Sequence, residues 1–387
     1  MKLRRIIICV LCINMLMLSF SVTFVSALDN ECTVDITEVI PIKAKEFARD
    51  RLLPLSNSIY SDTRFDINIK SLNDLKLEKP YVIYSANNLG VQDKIYYFPV
   101  SENNRIQMIM SIIDVDGDYT ATMSKDIANS LNEINYLDSN KHYILYQNGQ
   151  EILAENENST FVLTVTDYET NIVNKTNGNS EYFESLSFSD KVKKIKNTYA
   201  IRSINTSENF ANISGAQGFS VKNAYQTKLN TSGCLVPQGS LNICWAASVA
   251  TTVRYLKYDK YKNLTATQVC DAIGVSYTAN NIDAQQKALK KYGINYNQKI
   301  TEKQIGFAVV QRNILSQNTV LIHAFPSSGD GHAVTIIGYS TYGGVNLITI
   351  YNSATNACET VEYKSSGTYF SFNNKNHLWK YSLYWKA

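Results

Sequence analysis

Two hydrophobic periodicities follow one another after about residue 230, and their order limits the folds open to this chain. The first is helical: behind Asn242, a residue type that begins helices, apolar residues recur at helical spacing as far as Leu256. A further helix is predicted over 283–292, ending at Gly293. Two more helix starts are predicted by capping-box pairs, Thr265 with Gln268 and Thr301 with Gln304.

The second periodicity begins after Asn318, where short apolar runs rich in β-branched and aromatic residues predict strands. The predicted strands span 320–325, 333–339, 345–351, 368–372 and 378–384. Helices followed by an antiparallel sheet are typical of an α+β domain, with a cleft between the two parts. We therefore predict an α+β domain over 216–387.

Residues 28–215 predict a second, smaller α+β domain with a linker. A helical or irregular opening comes first, over 29–79, and a helix is predicted over 121–131. Short strands are predicted over 81–84, 94–100, 106–113, 143–146 and 160–165, with Asn148-Gly149 as a hairpin turn. The stretch 166–227 is rich in Asn, Ser, Thr and Lys, with a basic cluster at 191–196, and predicts a connection that a protease could reach.

The first 27 residues have the composition of a secretory signal peptide. A basic start at Lys2, Arg4 and Arg5 precedes an apolar run over 6–24, and small residues then end at Ala27. Cleavage after Ala27 predicts a secreted protein without stable membrane association. An uncleaved membrane anchor is the alternative, because the apolar run is nearly long enough to span a bilayer.

Charge is divided unevenly along the chain. Removal of residues 1–27 lowers the formal charge from +3 to 0, yet residues 28–227 carry −8 and residues 228–387 carry +8. Opposite charges would let an acidic segment dock on a basic domain. Drift in composition, with the charges on solvated faces, would give the same numbers. No nucleic-acid motif is present.

The number and positions of the cysteines indicate a thiol with a chemical function. Five cysteines remain after signal removal, at positions 32, 234, 244, 270 and 358, and an odd number in a secreted protein leaves at least one unpaired. Cys244 falls in the first turn of the predicted helix, where unpaired N–H groups favour a thiolate. A small apolar core residue is the alternative at that position. If any disulfide forms, Cys234 with Cys270 is the pairing we favour.

His332 and Asn352 are placed to act on such a thiol. His332 begins an apolar strand after the flexible stretch 327–331, so its side chain can face a cleft. Asn352 ends the next strand, and a hairpin would bring its amide to the imidazole, where it could fix the tautomer. His323 and His377 are interpreted as structural.

These residues lie in segments that resemble the papain-like cysteine peptidases. Gln238 to Ser248, QGSLNICWAAS, resembles the nucleophile segment of that family, in which a glutamine six residues before the cysteine donates to the oxyanion. The segments GHAVTIIGY from Gly331 and YNS from Tyr351 resemble its histidine and asparagine elements. The resemblance covers 237–353, and the short Cys-to-His spacing and overall layout are most similar to staphopain-type bacterial peptidases.

The resemblance implies a papain-like catalytic domain preceded by a small α+β pro-domain. It implies a secreted endopeptidase with Cys244 as nucleophile, His332 as base, Asn352 as orienter and Gln238 in the oxyanion hole. Protein or peptide substrates and the chain's own pro-region, as intramolecular inhibitor, are then the expected partners. No cofactor or metal is expected.

Two departures from the family pattern concern the surroundings of this site. Leu241 stands where many members have a disulfide cysteine, and no tryptophan follows Ser353 to shield the asparagine. Trp379 or Trp385 is a candidate for that shield, but a position in the core is favoured for both.

Two other functions remain open from the sequence. The same Cys-His-Asn chemistry could act on peptidoglycan cross-links, which the charge of +8 on the C-terminal part favours. The chain could also be a binding protein on an inactive peptidase scaffold.

Overall fold

The computed structural model describes residues 40–60, 62–86, 93–138, 143–149, 151–165, 186–191, 225–300, 302–327 and 329–386. The predicted signal peptide, Cys32, both predicted domain boundaries and most of the predicted linker lie outside these residues. We refer to residues 40–191 as the N-terminal half and to residues 225–386 as the C-terminal half. Within the described ranges, no helix is both long and apolar enough to cross a membrane.

Helices occur mainly in the C-terminal half, and α1 is the longest of those described. The helices are α1 (Ile42–Tyr60), α2 (Ala128–Glu133), α3 (Cys244–Leu256), α4 (Tyr258–Tyr261), α5 (Ala266–Ile273), α6 (Ile282–Lys291) and α7 (Phe307–Leu315). Short 3₁₀ turns follow α1 at Thr63–Phe65 and Leu72–Asp74.

Strands make up most of both halves. In the N-terminal half they are β1 (Lys76–Leu77), β2 (Tyr84–Ser85), β3 (Lys94–Glu102), β4 (Arg105–Val115), β5 (Asp118–Ser124), β6 (Ile144–Asn148), β7 (Glu151–Glu155) and β8 (Thr160–Val165). In the C-terminal half they are β9 (Tyr225–Lys228), β10 (Gln298–Ile300), β11 (Val320–Phe325), β12 (His332–Tyr342), β13 (Val345–Asn352), β14 (Ala357–Glu362), β15 (Tyr369–Phe372) and β16 (Lys375–Tyr384).

One antiparallel sheet of 12 strands runs through both halves. Its order is β1-β3-β4-β5-β14-β13-β12-β11-β16-β10, with β15 beside β16 and β9 beside β12. The halves meet where β5 pairs with β14, with Ser124 opposite Glu359 and Thr122 opposite Val361. A smaller sheet of four strands, β2-β6-β7-β8, belongs to the N-terminal half. The described structure is therefore α+β, as predicted.

The functional segments lie where helix α3 meets this sheet. Every side chain from Cys244 to Val253 is buried, because α3 packs between α5, α6 and strand β12. A helix that is apolar on all sides belongs in a core. The first residue of α3 thereby lies against the beginning of β12.

Helix α1 of the N-terminal half docks on the C-terminal half through its last turn. The Ser58 carbonyl accepts from Gln226 Nε2 at 2.8 Å and from Lys228 Nζ at 2.9 Å. Its hydroxyl contacts Ser340 Oγ at 3.0 Å and Thr360 Oγ1 at 3.3 Å. Because Ser58, Ser340 and Thr360 are buried, the contacts among their hydroxyl groups favour a fixed docking geometry.

Charged side chains also pair across the two halves. Asp62 pairs with Lys228 and Asp118 with Lys364, so acidic residues of the N-terminal half meet basic residues of the C-terminal half, as the charge division predicts. In a third pair the charges are reversed, with Arg51 in the N-terminal half and Glu362 in the C-terminal half. Residues Thr37–Ala387 form one unit that contains both halves.

Several predicted elements are confirmed. Strand β11 has the predicted bounds, Asn148-Gly149 connects the β6–β7 hairpin, and α6 ends before Gly293. At α5 the Thr265 hydroxyl accepts from the Gln268 N–H while the Gln268 side chain accepts from the Thr265 N–H.

Four local predictions are wrong. The stretch 121–124 is strand, because pairing with β4 on one side outweighs its moderate helix propensity; helix α2 begins only at Ala128. Ile243 and not Asn242 is the N-cap of α3. Gln304 caps no helix, since its side chain bonds to Lys364 and Thr368, and α7 begins behind Gly306.

The fourth error concerns Lys191, predicted within an accessible basic cluster. It is buried, and its ammonium pairs with Glu155 at 2.7 Å.

Candidate active site

Cys244 is the first residue of α3, and its thiol faces the start of β12. The backbone N–H of Ala333, the residue after His332, donates to Cys244 Sγ at 3.4 Å. The N-cap residue Ile243 offers no side-chain oxygen to the first turn of the helix. Both features favour negative charge on the sulfur. N–H dipoles point at it, and no capping side chain accepts hydrogen bonds from the N–H groups of the first helical turn.

His332 and Asn352 come together through the β12–β13 pairing. Thr335 lies opposite Tyr351, so Asn352, one residue further, shares a sheet face with His332. His332 Nε2 lies 2.8 Å from Asn352 Oδ1. His332 Nδ1 is buried and has no hydrogen-bond partner among the described residues. The predicted contact between imidazole and amide is present.

The orientation of the Asn352 amide is defined by its other contacts. Its Oδ1 also accepts from the Ala354 N–H at 3.1 Å, and its Nδ2 donates to Glu359 Oε1 at 2.8 Å. The atom facing His332 is therefore the carbonyl oxygen, which only accepts. His332 must then carry its proton on Nε2, which leaves the Nδ1 lone pair as the basic atom.

Gln238 belongs to the same site through Ser353. Its backbone N–H donates to the Ser353 carbonyl at 3.1 Å, and its Oε1 accepts from Ser353 Oγ at 3.1 Å. Its Nε2 donates to the Leu241 carbonyl at 3.0 Å. The glutamine loop is thus tied both to the residue after Asn352 and to the approach to Cys244.

An aromatic side chain that was not predicted shields the histidine, whereas both tryptophans pack with the core, the position favoured from the sequence. Phe372, at the end of β15, stacks on His332 with ring centroids 4.0 Å apart and planes 6° apart. Trp379 packs in the core between α7 and the sheet, and Trp385 packs against the α3 core. Phe372 lies 19 residues after Ser353 in the chain, and sequence spacing gave no signal for it.

The N-terminal half holds the hairpin that carries Phe372. Tyr97 Oη donates to Asn374 Oδ1 at 2.8 Å, and Gln147 Nε2 donates to Asn373 Oδ1 at 2.9 Å. Asn374 Nδ2 in turn donates to the Ile83 carbonyl at 3.0 Å. The tip of the β15–β16 hairpin is therefore fixed by contacts from outside the C-terminal half.

Burial controls the protonation of the histidines around the site. Only 1 % of His332 is exposed, and burial, with a smaller contribution from His377, lowers its pKa to about 3. Burial also lowers the pKa of His323 and of His377 to about 4 each. In this closed form the imidazole of His332 is neutral at pH 7, so an imidazolium there requires the thiol proton or access of water.

The other described cysteines are chemically different from Cys244. Cys234 and Cys270 are both free thiols, so the suggested disulfide between them is wrong. Burial raises the pKa of Cys270 to about 11 and that of Cys358 to about 12, and it also raises the pKa of Cys234. Neutral buried thiols of this kind are poor nucleophiles.

Comparisons with known proteins add nothing to this geometry: no family model matches the chain, and no curated protein matches it. The site therefore has to be judged on its own contacts. It brings together the thiol, imidazole and amide predicted from the sequence, and it adds Phe372 and Glu359.

The buried histidines predict a loss of stability in acid. Burial lowers the pKa of His323 to about 4 in the folded chain, whereas in the unfolded chain its pKa would be near 6.5, the ordinary value for histidine. Its contribution to the free energy of unfolding is therefore constant above pH 6.5 and falls as the pH drops toward 4.

His323→Leu should reduce the dependence of the free energy of unfolding on pH, by at most about 1.4 kcal/mol per pH unit. Urea unfolding of the full chain between pH 7 and pH 4 measures it. Parallel pH dependences of wild type and variant would contradict the assignment of His323 as a buried neutral residue.

Proposed function

We propose that this chain is a secreted papain-like cysteine endopeptidase made as a precursor, with Cys244 as nucleophile. The observation that carries the proposal is that Cys244 Sγ accepts from the N–H of Ala333, the residue next to His332, while the His332 ring is held by Asn352. This arrangement supplies a thiol at a helix start, a base in a defined tautomer and an orienter. These are the parts that nucleophilic acyl transfer requires.

The first half of the reaction forms a thioester. The Cys244 proton moves to His332 Nδ1, and the sulfur attacks the carbonyl carbon of a peptide bond. Negative charge develops on the carbonyl oxygen, where the Cys244 N–H and the Gln238 amide would stabilise it. His332 then donates its Nδ1 proton to the amine nitrogen as the C–N bond breaks.

The second half regenerates the enzyme. His332 takes a proton from a water molecule while the oxygen of that water attacks the thioester carbon. The C–S bond breaks, the acid product leaves, and the sulfur recovers a proton from His332. Asn352 accepts the Nε2–H throughout, which keeps Nδ1 directed at the reacting atoms.

The N-terminal half is proposed to restrain the peptidase until it is cut away. Its Tyr97 and Gln147 hold the hairpin that places Phe372 over His332, and its β5 pairs with β14 beside the site. The restraint therefore rests on packed, hydrogen-bonded contacts, which physiological salt screens far less than exposed charges. Strand β14 carries Glu359 and Glu362, and charged residues suit a strand that becomes a sheet edge.

Substitution of Cys244 tests the chemistry. Cys244→Ala should abolish cleavage of casein, because it removes the proposed nucleophile and burial raises the pKa of the other described thiols. Cys234→Ala and Cys358→Ala are matched controls that remove a buried thiol and should retain measurable turnover. Turnover by Cys244→Ala would contradict the proposal, and loss of cell-wall turbidity without casein cleavage would redirect it to peptidoglycan.

A separate experiment tests the restraint. The Cys244→Ala full chain is cut within 166–227, and the released N-terminal piece is added to wild-type enzyme that has been activated separately. We expect inhibition that weakens with salt but persists at high salt. An uncut wild-type chain as active as the cut form would show instead that the N-terminal half is a permanent domain with another role.

A further inference from the structure

Catalysis by a histidine held by an amide depends on which end of the amide faces the ring. The side-chain oxygen and nitrogen of an asparagine have nearly the same shape, so rotation by 180° about the last bond fits the same space. In the flipped state Asn352 would present N–H groups to His332 Nε2 and favour the wrong tautomer. Something in the surroundings must therefore oppose the flip.

Glu359 is the side chain that contacts the far end of this amide. Its Oε1 accepts from Asn352 Nδ2 at 2.8 Å, and only 6 % of the residue is exposed. When Glu359 is ionised, its carboxylate oxygen would meet the oxygen of the flipped amide without a hydrogen between them. The Ala354 N–H, at 3.1 Å from Asn352 Oδ1, opposes the same flip from the other side.

The mechanism described above makes no use of Glu359. Glu359 lies on β14, the strand next to β13, and contacts the Asn352 amide and not the reacting atoms. A carboxyl group buried at that place loses hydration, and such a group is retained in a fold when it satisfies a specific partner.

We propose that Glu359 is a positioning residue, which holds the Asn352 amide so that its oxygen faces His332. The proposal rests on the proposed peptidase function. It adds the Glu359 carboxyl to the thiol, imidazole and amide groups of the site. Loss of the Glu359 acceptor would leave a buried N–H group of Asn352 unsatisfied and would reduce the free-energy preference for the working orientation of the amide.

The surroundings of Glu359 link these groups to the N-terminal half. Glu359 lines a cavity of about 50 Å³ between β5, β14 and the β15–β16 hairpin, where the other titratable residues are Tyr97 and Asp126. Burial raises the pKa of Glu359 to about 7, its bond to Asn352 lowers it and Asp126 raises it further. Either protonation state can accept the Asn352 hydrogen. Ionisation adds a negative charge behind the amide, which stabilises an imidazolium at His332.

A double-mutant cycle tests the proposal in the enzyme activated by a cut within 166–227. Glu359→Ala should lower kcat about tenfold, the equivalent of 1.4 kcal/mol, with KM changed less than about twofold. Glu359→Gln, which keeps an acceptor oxygen, should restore most of kcat. On an Asn352→Ala background, Glu359→Ala should have no further effect. Glu362→Ala is the matched control, since it removes a buried carboxyl from the same strand.

The pH profile gives a readout that a merely structural role would not move. In Glu359→Gln the alkaline limb should shift to lower pH, because the negative charge that supports the imidazolium is gone. If Glu359→Ala fails to fold, the alkaline limb of Glu359→Gln is the deciding measurement. An alkaline limb at the same pH as in wild type overturns the proposal. Equal losses in kcat on the wild-type and Asn352→Ala backgrounds also overturn it. Turnover by Cys244→Ala would instead overturn the peptidase assignment itself.

Discussion

The hydrogen bond between His332 and Asn352 is the contact on which the site depends, and the pairing of β12 with β13 makes it. His332 begins one strand and Asn352 ends the other, so their side chains share a face only in the observed register. A slip of one residue would send the amide to the opposite face of the sheet. Because the strands are buried on both sides, such a slip would also expose apolar side chains, and the core therefore maintains the catalytic geometry.

Helix α3 brings the thiol to this hairpin for a related reason. Its side chains are buried from Cys244 to Val253, between the other helices and the sheet. That packing presses its first turn against the beginning of β12, where the Ala333 N–H meets the sulfur. The site thus lies at the contact of a helix start and a strand start, as a cleft between helices and sheet predicts.

Local patterns in the sequence predicted the side chains that meet at the candidate site but not the surroundings of that site. The segments around Cys244, His332 and Asn352 carry strong periodicity, so their elements and their convergence could be predicted. Strand β14 alternates Cys, Glu and Val without a clear apolar run, and it was missed together with Glu359. Phe372 and the β5–β14 pairing depend on contacts between residues far apart in the chain, which no local pattern encodes. Gln304 shows the converse, since tertiary hydrogen bonds overrode a correct capping spacing.

The central claim is that His332 activates Cys244 as a nucleophile, and covalent labelling tests it most directly. A peptidyl epoxide would be applied to the cut full chain, and the alkylated cysteine would be identified by mass spectrometry in wild type and in His332→Ala. The account predicts modification at Cys244, slowed on the order of 10² or more in the variant. Equal labelling of Cys234, Cys270 and Cys358, or a Cys244 rate that does not depend on His332, would contradict it.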